Sequence, residues 1–103
     1  MSVLLNFAMF PTDKGESVSE YVGKVIHYVR ESGVSYRLNP MGTTIETETM
    51  EEALEIVNQA YKILEPYAGR IYSTINIDAR RGPLGRMEGK ISSVEGKIGK
   101  VNQ

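Results

Sequence analysis

Two segments of the chain alternate apolar and polar residues with a period of two, the pattern of half-buried β-strands. Residues 2–10 place apolar side chains at every second position, and residues 70–81 repeat this pattern around three isoleucines, Ile71, Ile75 and Ile77. Two shorter β-prone segments, residues 34–39 and 43–49, flank a Pro-Met-Gly sequence, which predicts a β-hairpin. The sequence therefore predicts four strands.

Two segments with a period of 3.6 residues lie between these strands. The first begins at a Ser17–Glu20 capping box and runs to about Ser32, just before Gly33. Its predicted apolar face carries four valines: Val18, Val22, Val25 and Val29. The second begins at a Thr49–Glu52 capping box and runs to about Glu65. Its predicted apolar face is formed by Met50, Leu54, Val57, Tyr61 and Leu64.

The order β-α-β-β-α-β predicts an α+β, ferredoxin-like fold, with a four-stranded antiparallel sheet and both helices on one face. Strand alternation places Val3, Leu5, Phe7 and Met9 under the helices. The other face then carries mostly polar side chains: Asn6, Ala8, Arg37, Thr44, Glu46, Glu48, Tyr72, Thr74, Asn76 and Asp78. This outer face is interpreted either as a solvated surface or as a binding surface.

Residues 84–103 predict an additional amphipathic helix after a ferredoxin-like domain of residues 1–83. Its apolar residues follow a spacing of three and four: Leu84, Met87, Ile91, Val94, Ile98 and Val101. The same segment contains four glycines: Gly85, Gly89, Gly96 and Gly99. Each glycine inside a helix costs about 1 kcal/mol relative to alanine, so this helix needs a docking surface to be stable. We expect that surface on a second subunit, in a homo-oligomer that is a dimer or a dimer of dimers. The alternative is a helix that docks on its own subunit.

Composition limits the possible functions. The chain has 103 residues, 41% of them hydrophobic, and a net charge of −1, which argues against a nucleic-acid-binding protein. It has no cysteine, no basic signal-peptide region and no stretch of about 20 apolar residues. We therefore expect a cytoplasmic protein that does not bind membranes.

The residue types in the sequence give little support for a catalytic function. A nucleophilic triad without cysteine needs a histidine, and the only one, His27, falls opposite Val18 on the first helix, facing solvent. An acylphosphatase-type enzyme needs an arginine in its anion-binding loop, but the loop "PTDKGES" after the first strand has none. A single histidine and scattered carboxylates also make a poor metal site. We expect a protein that is not an enzyme and has no cofactor.

The polar outer face favours binding of a small, flat ligand. Glu46 and Asp78 would complement a cationic ligand, and Tyr72, Tyr36 or Phe10 would offer a stacking or cation–π surface. Three arginines near the end of the fourth strand, Arg80, Arg81 and Arg86, form a basic cluster. We expect this cluster either to bind an anion or to pair with acidic residues of another subunit.

The chain resembles the YkoF-like thiamine-binding family of small ferredoxin-like proteins. The resemblance rests on Pro11 at the end of the first strand, on Y-x-x-x-P-x-G-T-T-x-E from Tyr36 to Glu46, and on I-x-I-D-x-R from Ile75 to Arg80. The sequence "KISSVE" from residue 90 to 95 also resembles the end of single-domain members.

This resemblance implies dimers or dimers of dimers that bind thiamine or its hydroxymethylpyrimidine moiety without an established reaction. It makes Thr43, Thr44, Glu46 and Asp78 candidate ligand residues, and Gly42 would allow a ring to approach the backbone. Asn6 is matched by its strand position alone. The competing hypothesis is a structural or regulatory homo-oligomer with no small-molecule ligand on the sheet.

Overall fold

The computed structural model describes residues 1–103 and has the predicted order of elements. The elements are β1 (Ser2–Pro11), α1 (Ser19–Glu31), β2 (Ser35–Asn39), β3 (Gly42–Thr47), α2 (Met50–Leu64), a 3-10 turn (Glu65–Tyr67), β4 (Ile71–Arg80) and α3 (Arg86–Ile98). The strands form one antiparallel sheet in the order β2-β3-β1-β4. This is the ferredoxin-like α+β fold that the sequence predicts.

The register of the sheet confirms the predicted alternation. Leu5 in the central strand β1 lies opposite Ile45 of β3 and Ile77 of β4. Its neighbour Asn6 lies opposite Thr44 and Asn76. Because successive side chains point to opposite faces, the first set faces α1 and α2 and the second forms the outer face.

The hydrophobic core lies between the sheet and the two helices α1 and α2. Eleven buried residues form it: Val3, Leu5, Phe7, Met9, Val25, Val29, Ile45, Ala53, Ile56, Ala60 and Leu64. Of the first-helix valines, Val25 and Val29 are fully buried, and Val18 and Val22 are half-buried.

The predicted apolar face of α2 is wrong in part, because the helix is rotated relative to the prediction. Leu64 is fully buried and Val57 packs against the core, as predicted. The buried residues of α2 are Ala53, Ile56, Ala60 and Leu64, whereas Leu54 and Tyr61 are 45% and 42% exposed. The two alanines have no side chain beyond Cβ, so they allow α2 to approach the sheet closely and bury its backbone. A hydrophobic pattern gives large apolar side chains more weight than alanine. It therefore selects the flank of the helix with Leu54 and Tyr61.

The two predicted capping boxes have different outcomes. At α2, Thr49 is the N-cap, and its hydroxyl oxygen accepts the Glu52 backbone N–H at 3.1 Å, as predicted. At α1, the N-cap is Val18 and no side chain caps the helix, so the predicted Ser17–Glu20 box is wrong. Helix α1 ends as predicted, with Gly33 in the left-handed region at φ 81°.

Helix α3 docks on the outer face of its own sheet. Met87 and Leu4 are each only 9% exposed at this contact, and Ile91 is half-buried. Three other residues of the predicted stripe, Leu84, Val94 and Ile98, remain exposed. Part of the stripe therefore packs within its own subunit, which agrees with the alternative of a helix that docks on its own subunit.

Strand β4 is an edge strand whose apolar residues are incompletely covered. Ile75 and Ile77 point to the helix side of the sheet, yet each is 42% exposed. None of the helices combines the length and the hydrophobicity that spanning a bilayer requires.

Candidate functional site

The predicted ligand residues lie on both faces of the sheet. Asn6, Thr44, Glu46 and Asp78 are on the outer face, where strand register brings Leu4 between Glu46 and Asp78. Thr43 is on the helix side and only 3% exposed. Tyr36 also packs on the helix side, against the hydrophobic core.

The carboxylate of Glu46 caps the start of α3. Its Oε2 accepts the backbone N–H groups of Gly85 and Arg86 at 3.1 and 3.2 Å, and the Ser2 hydroxyl at 2.5 Å. A helix leaves its first N–H groups without intrahelical partners, and a negative charge there is also favoured by the helix dipole. Glu46 on β3 thus supplies, across the fold, the cap that the α3 sequence lacks.

Asp78 is engaged in an ion-pair network with two basic residues. Its Oδ2 accepts hydrogen bonds from Arg86 Nη1 at 3.0 Å and from Lys90 Nζ at 3.3 Å. Arg86 also donates to the backbone carbonyls of Ser2 and Asp78 at 2.8 and 2.7 Å. This network ties α3 to strands β1 and β4.

The pKa shifts of the two carboxylates follow from these contacts. Burial alone would raise the pKa of Glu46, but the hydrogen bonds from Ser2 and from the first N–H groups of α3 outweigh it and lower the pKa. The pKa of Asp78 is lowered by its hydrogen bond from Lys90 and then by the Arg86 guanidinium. Both groups are therefore anionic near neutral pH and already paired within the chain.

A polar patch remains open on the outer face between β3, β1 and β4. We define it by Asn6, Thr44, Thr74 and Asn76. Thr44 Oγ1 donates to Asn6 Oδ1 at 3.0 Å, while Thr74 and Asn76 are exposed. Two aromatic rings lie at its end, because Phe10 and Tyr72 are paired across the strands with ring centroids 5.9 Å apart. The patch offers hydroxyls, amides and a π surface.

A cavity of about 440 Å³, here called the turn cavity, lies beside the β2–β3 turn. Its walls are mainly apolar and include Phe7, Phe10 and Val22. Thr43 and Thr74 are among its few polar residues, so the cavity and the polar patch share Thr74. An apolar cavity with a few polar groups is the usual character of a small-molecule site.

Gly42 lies where the turn cavity meets the polar patch. A Cβ at this position would lie 3.0 Å from the Phe7 carbonyl oxygen and 3.3 Å from Asn6 Nδ2. The glycine thus permits the close approach of the chain's own Phe7 carbonyl and Asn6 side chain. The approach of a ligand ring to Gly42 stays a prediction.

Sequence reasoning missed the structural roles of Ser2 and Arg86. The sequence places Arg86 only in a basic cluster and predicts no role for Ser2. A signal was present, because the start of α3 is Gly85-Arg86 and has no Ser, Thr, Asp or Asn to cap it. The missing cap predicted an acceptor from elsewhere in the fold, although not its identity.

The remaining candidate chemistry is dispersed. His27 is exposed on α1, as predicted, and its Nδ1 lies 3.2 Å from Arg30 Nη2. No three His, Asp or Glu side chains lie close enough together to hold a metal ion.

Comparison with known proteins identifies the family. The sequence profile described as "Thiamine-binding protein" matches residues 5–95. The chain belongs to the Thiamine-binding protein family. A UPF0045 protein of Mycobacterium bovis in this comparison is 36% identical over 95 residues, which cover 92% of this chain and 93% of the relative. The resemblance to YkoF-like thiamine-binding proteins is thereby confirmed.

Solved structures agree with the family fold. A hypothetical protein of Methanocaldococcus jannaschii is 28% identical, with a TM-score of 0.80 over 90% of this chain and 95% of that chain. A Thermotoga maritima protein named as a candidate thiamine biosynthesis or salvage protein is 26% identical, with a TM-score of 0.78 over 91% and 99%. The Thiamine-binding protein family is named for a ligand and not for a reaction.

Proposed function

We propose that this protein binds thiamine or its hydroxymethylpyrimidine moiety without chemical turnover, as a carrier, sensor or salvage protein. The observation that supports this most directly is the turn cavity, which is about 440 Å³ and opens next to the polar patch. An aminopyrimidine ring needs apolar walls for its faces and hydrogen-bonding groups for its edge. Phe7 and Phe10 supply the first, and Thr43 and Thr74 supply the second.

The cationic thiazolium ring of thiamine fits the Phe10–Tyr72 pair at the end of the polar patch. Aromatic faces attract cations within about 6 Å of the ring centroid. Tyr72 is 50% exposed, so its ring is accessible. Because Glu46 and Asp78 are paired with groups of α3, we assign cation binding first to this aromatic pair. Direct ligand contacts by Glu46 and Asp78 stay a prediction.

Titration calorimetry with thiamine and with hydroxymethylpyrimidine tests this function. Thr43→Val keeps the shape of the side chain and removes its hydroxyl. We expect it to weaken binding about three- to tenfold, the equivalent of one hydrogen bond of about 0.5–1.5 kcal/mol. Thr12→Val, an exposed threonine outside the cavity, is the matched control and should bind as the wild type does.

A second pair of variants separates the two rings of the ligand. Tyr72→Ala should weaken thiamine binding more than hydroxymethylpyrimidine binding, because only thiamine carries the cation, and Tyr72→Phe should preserve both. No heat and no thermal shift with either compound at millimolar concentration would overturn the proposal.

A structural role in a homo-oligomer is the competing function, and one observation favours it. Strand β4 is an unpaired edge with Ile75 and Ile77 partly exposed, and α2 exposes Leu54 and Tyr61 beside the core. Exposed apolar residues on a sheet edge favour pairing with another chain. This function requires that the Ile75 and Ile77 surface controls assembly while neither thiamine compound binds. We propose that the protein is a homo-oligomer in either case.

A further inference from the structure

A second cavity, separate from the turn cavity, lies between the β4–α3 connection and the first turns of α3. Its volume is about 640 Å³, and it shares no lining residue with the turn cavity. Four of its lining residues are cationic, namely Arg80, Arg81, Arg86 and Lys90, and none is a carboxylate. We call it the basic pocket.

The four cations differ in their free hydrogen-bonding capacity. Arg86 is held by Ser2 and Asp78, and its side chain is only 11% exposed, so it contributes positive charge in a fixed position. Lys90 has a single ion-pair partner, Asp78, and its side chain is 62% exposed, which leaves donors of its ammonium group free. Arg80 and Arg81 take part in none of the salt bridges of the chain.

Charge is strongly concentrated at the basic pocket. The pocket holds four of the 12 lysine and arginine residues of a chain whose net charge is −1, so the rest of the chain carries −5. Asp78 and Glu46 neutralise part of this charge, but Glu46 is turned to the N–H groups that start α3. An incoming anion would therefore meet arginine and lysine side chains rather than the helix terminus, and a local positive potential attracts it.

The shape of the pocket suits an anion that is part of a larger molecule. Leu84 and Val94 line it and are 47% and 46% exposed, so they offer apolar contact beside the cations. Gly89 also lines it, and a Cβ built at Gly89 would meet nothing within 4 Å. The volume lies within the range of about 300–1,000 Å³ that is common for small-molecule sites.

We propose that the basic pocket binds the phosphate or diphosphate group of a small metabolite. The planar guanidinium groups of Arg80 and Arg81 match phosphate oxygens with two donors each, and Lys90 adds a point charge. This site is independent of the thiamine site proposed above, because the two cavities have different lining residues. Its ligand and that of the turn cavity can be the same compound or different ones.

The experiment is calorimetry with inorganic phosphate, inorganic diphosphate, phenyl phosphate and thiamine diphosphate on matched glycine variants. Gly89→Glu puts a carboxylate in the pocket, whereas Gly96→Glu adds the same charge to the same helix outside it. Both sites have open space for a Cβ, and glutamate is a better helix former than glycine, so both variants should fold. We expect Gly89→Glu to weaken diphosphate binding at least about tenfold and Gly96→Glu less than about twofold.

The other arms distinguish the source of the phosphate group. Tighter binding of phenyl phosphate than of inorganic phosphate supports a metabolite with an apolar part, and loss of all binding in Arg80→Ala/Arg81→Ala supports the assigned donors. The proposal is overturned if the wild type binds no diphosphate at millimolar concentration, or if Gly89→Glu and Gly96→Glu weaken binding equally. A single-stranded oligonucleotide that displaces diphosphate at lower concentration than any of the small phosphates would also overturn it.

Discussion

Glu46 shows at the residue scale that a side chain predicted for a ligand site also has a structural role, which the sequence does not reveal. The sequence places it on the outer face of β3, and the structure confirms that position. Its neighbours decide its role, because the side chain is only 7% exposed and faces the start of α3. The hydrogen bond from the Arg86 backbone N–H to Glu46 joins residues 40 positions apart, and no local pattern in the sequence specifies it.

The Glu46 cap predicts a pH-dependent stability. A folded-state pKa below the ordinary value of 4.5 means that the stabilisation is fully present above that value and is lost as the pH falls through the lowered folded pKa. Glu46→Gln should lower the free energy of unfolding near neutral pH by about 1–3 kcal/mol, because charged hydrogen bonds become neutral ones. Thermal unfolding between about pH 7 and pH 3 measures both effects. The wild type should lose more stability on acidification than Glu46→Gln, and parallel curves would contradict this prediction.

Gly42 predicts a steric effect that another glycine does not share. In Gly42→Ala the new Cβ would lie 3.0 Å from the Phe7 carbonyl oxygen, so this backbone group must give way slightly. We expect a loss of about 1–3 kcal/mol in the free energy of unfolding. Gly23→Ala is the control, because it lies inside α1 with nothing within 4 Å, and it should stabilise by up to about 1 kcal/mol. Chemical denaturation checks both variants, and equal effects of the two would argue against the close approach at Gly42.

At the scale of elements, strands were easier to predict than helix faces. The alternation in β1 has only two possible phases, and Val3, Leu5, Phe7 and Met9 identify the buried one. A helix can be rotated about its axis by any angle, and α2 has two neighbouring apolar surfaces that could face the sheet. One contains Leu54 and Tyr61, and the other contains Ala53 and Ala60. The buried surface contains Ala53 and Ala60, whose contribution is close packing rather than apolar area, so a hydrophobic pattern underestimates it.

The two surfaces of α2 predict different responses to substitution. Ala60→Leu should lower the free energy of unfolding by about 1–3 kcal/mol, because Ala60 is fully buried against the sheet and has no room for a larger side chain. Leu54→Gln should change it by no more than about 0.5 kcal/mol, since Leu54 is 45% exposed. Denaturant titration of dilute protein measures both. A larger effect at Leu54 than at Ala60 would restore the helix face that the sequence pattern selected.

For the whole molecule, the sequence predicted the fold well and the use of its surfaces less well. The order of elements and the alternation in four strands determine the ferredoxin-like topology almost without alternatives. The candidate site depends on which groups are already paired within the chain, and this is a property of tertiary contacts. Glu46, Asp78 and Arg86 satisfy one another around the start of α3, so the surface open to ligands shifts toward Asn6, Thr44 and the turn cavity.

Two exposed apolar surfaces predict the assembly of the molecule. The first consists of Ile75 and Ile77 on the edge strand β4, and the second of Val94 and Ile98 on α3. Lysine on an exposed sheet edge opposes pairing with another chain. Ile75→Lys/Ile77→Lys should therefore reduce the mass measured by light scattering to the 11.5 kDa of one chain or to a smaller oligomer.

Val94→Lys/Ile98→Lys tests the second surface independently and, in a dimer of dimers, should leave dimers. Ser17→Lys is the control, because it adds a cation at an exposed position before α1, outside both β4 and α3. Wild-type protein that has the mass of a single chain at micromolar concentration would contradict the oligomer. Calorimetry with thiamine on the dissociated variants then separates the two proposed functions, because the turn cavity is built entirely within one chain and should bind in a monomer as well.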